Sequence, residues 1–277
     1  MLKRCSRFAT VILASMFSLI MALPAHASTS MISRSSNDVR ATLTYQGTLN
    51  QAHDLTLAIT RAGIVELHAS VSSSMCGHLC WPTPIGPVLQ VVNFGGPSPD
   101  VVLRLYSGGA HCCFVDQVFA ASAGHYVKSQ LVLGDPTASI ERLVPSRPLV
   151  FVTADDSFAY AFTDFAASGL PVKVLAFRGH HFVDVTNNYR SVVARDARRW
   201  WRAFVATAKS HYADSVGLAA AWAADEDRLG RFALVAHVLA NEARAGHLLS
   251  ALSPHSGESW HFIAHLDRFL IQRGYRR

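Results

Sequence analysis

Between residues 40 and 189 apolar and polar residues alternate with a period of two, and from Arg190 onward the apolar residues recur at helical spacing. A period of two places successive side chains on opposite faces of a strand, whereas a period of about 3.6 gathers them on one face of a helix. One segment cannot satisfy both. This predicts an α+β fold, with an antiparallel β domain over 40–189 followed by a helical C-terminal region over 190–277.

The strand-like runs are 40–45, 54–60, 64–71, 88–93, 101–106, 114–121, 126–133, 149–153, 158–165 and 172–177, separated by Gly, Pro and Asp turns, and 178–186 closes the last unit. The short Arg61-Ala62-Gly63 link marks a hairpin. Gly124-His125-Tyr126-Val127 matches Gly179-His180-His181-Phe182-Val183 at the same place in two successive units. A repeat of roughly 50 residues made of four short strands is the pattern of propeller blades. Even with residues 40–93 as a third, weaker unit the chain is too short to close a propeller, so an open or sandwich-like antiparallel assembly is expected.

In the second half, Val192, Val193, Ala197, Trp200, Trp201, Phe204 and Val205 form one helical stripe opposite Arg195, Arg198, Arg199 and Arg202. Further helices are predicted over 218–229, 232–249 and 258–273, with Gly230 as a joint and Gly274 as a C-terminal stop. The arginine face could serve an anionic lipid or nucleic acid. Asp196 interrupts the charge run, however, and a helix packed on the sheet with solvated arginines is the commoner use of such a pattern.

Export is expected from the N-terminus. Lys3, Arg4 and Arg7 precede an apolar core from Val11 to Leu23, and Ala25-His26-Ala27 is a small-x-small cleavage site. These make residues 1–27 a secretory signal peptide, followed by a Ser-rich, disordered lead-in over 28–39. Cleavage would remove half of the formal net charge of +6. Of what remains, residues 28–189 carry nine Lys/Arg against eleven Asp/Glu and residues 190–277 carry thirteen against eight. The modest remaining charge argues against nucleic acid as a partner, and no later stretch is long and apolar enough for an integral membrane segment. A periplasmic or secreted protein with an envelope or extracellular partner is the expectation.

Four cysteines follow the cleavage site, Cys76, Cys80, Cys112 and Cys113, and in an oxidising compartment they imply two disulfides. Adjacent cysteines bridge only through a strained peptide. Cross-pairing between the 76–80 loop and the 112–113 pair is therefore expected, each bridge contributing roughly 3–4 kcal/mol by closing a loop of about 35 residues. Gly108 and Gly109 would supply the turn that precedes the pair.

The strings Leu105-Tyr106-Ser107-Gly108-Gly109-Ala110-His111-Cys112-Cys113, Ala154-Asp155-Asp156-Ser157-Phe158, Phe182-Val183-Asp184-Val185-Thr186 and Asp196-Ala197-Arg198-Arg199-Trp200-Trp201 resemble exported bacterial proteins with FG-GAP or VCBS repeats. The likeness covers roughly residues 88–205. It implies blade-like units and, in intact members, calcium loops of the Asp-x-Asp-Gly-Asp kind. Calcium takes six to eight oxygen ligands, and both corresponding turns here are poor in acids: 93–100 keeps Asp100 alone, and 141–147 has Glu141 with two arginines. No calcium or other cofactor is expected.

Two constellations could carry chemistry. His78 and His111 beside the cysteines have the ligand types of a soft-metal site, but oxidised cysteines would not ligate. Asp155 and Asp156 could act as an acid–base pair, although neighbouring residues on extended chain diverge and capping of the 155–157 turn is their commoner role. His261 and His265 share a helix face but lack the glutamate of a zinc-protease helix. There is no Gly-x-Ser-x-Gly elbow and no phosphate loop. The sequence thus points to an exported binding or scaffold protein with degenerate repeats. A metal- or carboxylate-dependent hydrolase built on His78, His111, Asp155 and Asp156 is the alternative.

Overall fold

The computed structural model describes residues 29–77, 79–109, 112–209, 214–248, 250 and 258–276. The expected signal peptide, His78 and His111 lie outside the described residues. Three antiparallel sheets come first. The first contains β1 (Thr29–Ser36), β2 (Val39–Gln46), β3 (His53–Arg61) and β4 (Ile64–Ser70) in sequence order. In the second, β5 (Trp81–Pro82) and β6 (Leu89–Val92) pair with the two ends of β7 (Asp100–Gly109), and β8 (Cys112–Ser122) and β9 (His125–Gly134) follow. The third contains β10 (Ser139–Glu141), β11 (Val150–Ala154), β12 (Val172–Arg178) and β13 (His181–Asp184), again in sequence order.

Each sheet closes with the same device. Ala62-Gly63, Ala123-Gly124 and Gly179-His180 form two-residue links before β4, β9 and β13, and all six residues have positive φ, between 45° and 85°. That conformation is the type I′ turn, whose twist matches the flanking strands and which favours Gly at either position.

The sheets stack face to face. Leu43, Leu57 and Ile59 of the first meet Leu103, Leu105 and Val115 of the second. On the opposite face of β7 and β8, Val102, Val118 and Ala120 meet Phe151, Leu175 and Phe177 of the third. A middle sheet buried on both faces explains why β7 reads as an unbroken apolar run from Val101 to Leu105, interrupted only by Arg104, which is buried against Asp116 at 3.4 Å. The outer face of the third sheet packs Val172, Val174 and Val185 on Val192 and Val193 of α1 (Arg190–Ala208). Beyond it lie α2 (Val216–Arg228), α3 (Phe232–Arg244) and α4 (Glu258–Gln272), around a core that includes Phe158, Phe204, Trp222, Leu239, Leu266 and Leu270.

Three details differ from the sequence-based expectation. Residues 29–36, expected as a disordered lead-in, form β1 and pair along their full length with β2. An edge strand needs few buried side chains, and Ile32 packing on the core supplies one. Residues 158–165 are not a strand: Asp156–Phe158 is a single 3-10 turn, and Phe158 and Phe162 turn toward α4, where they stack edge-on with Phe269. The cysteines also pair locally, Cys76 with Cys80 and Cys112 with Cys113. A one-turn excursion with Gly77 at φ +56° sets the Cα atoms of Cys76 and Cys80 5.2 Å apart, within bridging distance. Cys80 is sunk in the core between the first two sheets while Cys112 is exposed, and a cis peptide joins Cys112 to Cys113. No helix among the described residues is long and apolar enough to cross a membrane.

A candidate functional site in the helical layer

Asp155 and Asp156 follow the end of β11 and open the 3-10 turn. Asp155 caps the 3-10 turn by accepting the Ser157 amide on Oδ1 (3.2 Å), accepts the Tyr275 hydroxyl on Oδ2 (2.8 Å), and faces the Lys173 ammonium at 3.7 Å. Burial raises its pKa, but Lys173 and the hydrogen bonds from Tyr275 and Ser157 outweigh this and leave the carboxyl below its ordinary value. Asp156 instead accepts the Asp135 amide at 3.0 Å. The two carboxylates serve different partners, which is the geometry of two caps. Tyr275 continues the network: Arg228 lies over its ring at 4.3 Å and bonds Asp184 at 3.1 Å. This set joins the third sheet to the C-terminal segment.

Around the cysteine pair, Ser107 Oγ donates to the Cys112 carbonyl (2.7 Å) and accepts the Cys113 amide (2.6 Å), and the Tyr106 hydroxyl donates to the Gly109 carbonyl. Gly108 has φ +83° and lies under the Trp81 ring, where an added Cβ would come within 2.6 Å. Gly109 is packed against the Cys112 carbonyl. With both sulfur pairs oxidised, this turn presents no thiolate. No group of three or more metal-ligating side chains occurs among the described residues.

A cavity of about 550 Å³ lies between α4 and the 160–162 segment. Tyr160 takes φ +59°, and its amide is held by Ser168 Oγ at 3.1 Å, which turns the chain so that Phe162 points at α4. Phe162 meets Phe262 edge-on at 5.6 Å and the His265 ring at 5.2 Å. Val216 and Leu248, both buried, supply apolar wall. Across the opening α4 presents His261, His265 and Arg268, spaced four and three residues apart and therefore on one face of the helix. All three are exposed, and no carboxylate is among the described residues that line the cavity. An apolar floor beneath an imidazole–imidazole–guanidinium row has the chemistry to hold an organic anion: the guanidinium takes the charged oxygens in bidentate fashion, and the aromatic floor takes the carbon skeleton.

His261 and His265 stand out in the sequence by their four-residue spacing. Phe162 did not, because its apolar neighbours mimic a strand. Arg268 carries no signal until the fold sets it in a cavity wall where no acid is among the described lining residues.

No protein-family model and no solved structure matches the chain. It is similar to a probable thylakoid lumen protein of Synechocystis sp., 29% identical over 110 residues, which is 38% of this chain and 32% of that protein. The likeness thus spans about a third of the relative's length.

Proposed function

We propose that this protein is an exported, non-enzymatic binding protein that holds a small amphiphilic anion in the cleft between α4 and the 160–162 segment. The observation that carries this reading is the placement of His261, His265 and Arg268 on one wall of a cavity floored by Phe162, Phe262 and Leu248 with no opposing carboxylate. The site offers an apolar slot with two imidazoles and a guanidinium at its rim, and among the described residues that line it there is no carboxylate to form an acid–base pair. Export is supported by the three-part N-terminus, by the two cysteine pairs, and by a relative whose name places it in a thylakoid lumen. The three stacked meanders are read as degenerate repeats of the FG-GAP kind. The shared position of the Ala62-Gly63, Ala123-Gly124 and Gly179-His180 turns supports this, as does the Phe94-Gly95-Gly96 connection, which retains a single acid, Asp100.

Calorimetric titration with sodium octanoate and sodium phenylacetate, against octanol as the neutral control, tests the binding reading. Saturable binding of the anions and not of the alcohol is expected, with at least a tenfold loss in Arg268→Glu, since a charge-assisted pair is replaced by repulsion. Equal affinity of wild type and Arg268→Glu, or no binding of either anion, would overturn it.

A further inference from the structure

A second cavity, of about 370 Å³, opens where the second and third sheets meet. Its walls come from the 94–100 connection, from Ala120 and Ala121 of β8, and from the Phe177–His180 end of β12. Asp100 lines it and is only 6% exposed. One of its oxygens accepts the Phe94 amide at 3.3 Å, and no cationic side chain among the described residues pairs with it. His180, also in the wall, carries a buried Nδ1 with no hydrogen-bond partner. The rings of Phe94 and Phe177, 5.7 Å apart and edge-to-face, flank these groups. A buried carboxylate without a cation, a bare imidazole nitrogen and two aromatic rings are three acceptors of positive charge gathered in one small space.

We infer that this cleft binds a small primary ammonium compound, its NH₃⁺ on Asp100 and His180 Nδ1 and its apolar part against Ala120 and Phe177. Calcium does not suit the site, because one carboxylate falls far short of six to eight oxygen ligands. This inference stands apart from the anion site on α4.

The charged and titratable groups that face Asp100 set the pH dependence. His180 and Arg178 approach from the β12–β13 turn, with Arg178 exposed at the rim. Tyr126 of β9 lies behind Asp100, its hydroxyl on the Pro99 carbonyl, and is itself coupled to Arg61 and Glu66. Burial pushes the Asp100 carboxyl up to about 6, against the pull of the Phe94 amide and His180. Below that pH Asp100 takes up a proton, and the loss of its charge expels a cation.

Titration of the full chain with benzylammonium chloride at pH 8 and pH 5, with benzyl alcohol and calcium chloride as separate arms, tests the site. Saturable binding of benzylammonium at pH 8 is expected, about tenfold weaker at pH 5 as Asp100 is protonated, and none of benzyl alcohol or calcium. Asp100→Asn should lose at least tenfold, and Ala120→Val, which narrows the cleft from the β8 wall, should weaken binding as well. Arg268→Glu should leave it unchanged. The inference is overturned by absent binding, by benzyl alcohol binding equally well, by calcium binding that depends on Asp100, or by an Asp100→Asn protein that binds like wild type. If Asp100→Asn does not fold, the Ala120→Val result decides: retained affinity overturns the site.

Discussion

Asp225 lies on α2 with no solvent exposure and its carboxyl beside that of Asp196. Burial, and then the nearby Asp196 carboxylate, push its pKa up to about 10, against weaker opposition from Arg228 and Arg199. Asp196 accepts the Val172 amide at 2.8 Å, the Trp200 indole at 3.1 Å and the Arg199 guanidinium at 2.8 Å. Asp225 is thus a neutral acid inside the helical layer at physiological pH. A carboxyl whose folded pKa exceeds its unfolded value of about 4 takes up a proton on folding, so its contribution weakens as pH rises from about 4 toward 10. Asp225→Asn, which mimics the protonated form, should raise Tm at pH 9 and leave it nearly unchanged at pH 4, read by thermal melts at both values. An unchanged melt at pH 9 would show that Asp225 ionises freely. Asp155 and Asp184 have the opposite sign. Their folded pKa values are lowered, so the stability they add is present at neutral pH and is lost as pH falls through the carboxylate range.

At the scale of elements, α2 shows how closely the layers approach. An added Cβ on Gly169 would come within 2.7 Å of the Ala221 Cβ and 2.8 Å of the Gly217 carbonyl, and Gly217 itself sits against the Ala167 carbonyl and the Thr163 methyl. The contact is backbone on backbone and cannot yield by a side-chain rotation. Gly217→Ala is therefore expected to cost roughly 1–3 kcal/mol through overpacking, a fall in Tm of several degrees by calorimetry, although alanine is the better helix former. The long, clearly patterned elements were legible in the sequence: β2, β3, β8, β9, β12, α1 and α4 stand where alternation or helical spacing puts them, and β7 where an apolar run between two turns does. Tertiary demand hid the rest. β1 is polar because an edge strand can be, and residues 158–165 alternate because two phenylalanines reach a helix rather than a sheet. Local cysteine pairing escaped spacing arguments because a turn of five residues sets Cys76 and Cys80 at bridging distance on its own. Non-reducing peptide mapping should find Cys76–Cys80 and Cys112–Cys113 bridges. Reduction should lower Tm by only a few degrees, since loops this short constrain the unfolded chain little; a cross-linked 76–80 and 112–113 peptide pair would refute the connectivity.

Taken as a whole, the molecule is a file of layers, three sheets and then helices, in which the buried clusters join each layer to the next. Its two ends are unlike. One is sealed by α1 and the helices behind it, tied back to the third sheet through Asp155, Tyr275, Arg228 and Asp184. The other is the outer face of the first sheet, where Ser33, Thr42, Thr44, Thr56 and Thr60 alternate with buried neighbours. The anion cleft belongs to the sealed end and the ammonium cleft to a joint between sheets, so the two proposed sites share no wall. Because every sheet is a self-contained meander closed by its own two-residue hairpin, the architecture is modular in the way a bookshelf is: a further volume slid in beside the first sheet would need a new neighbour only on one side, and the helical bookend would not have to move.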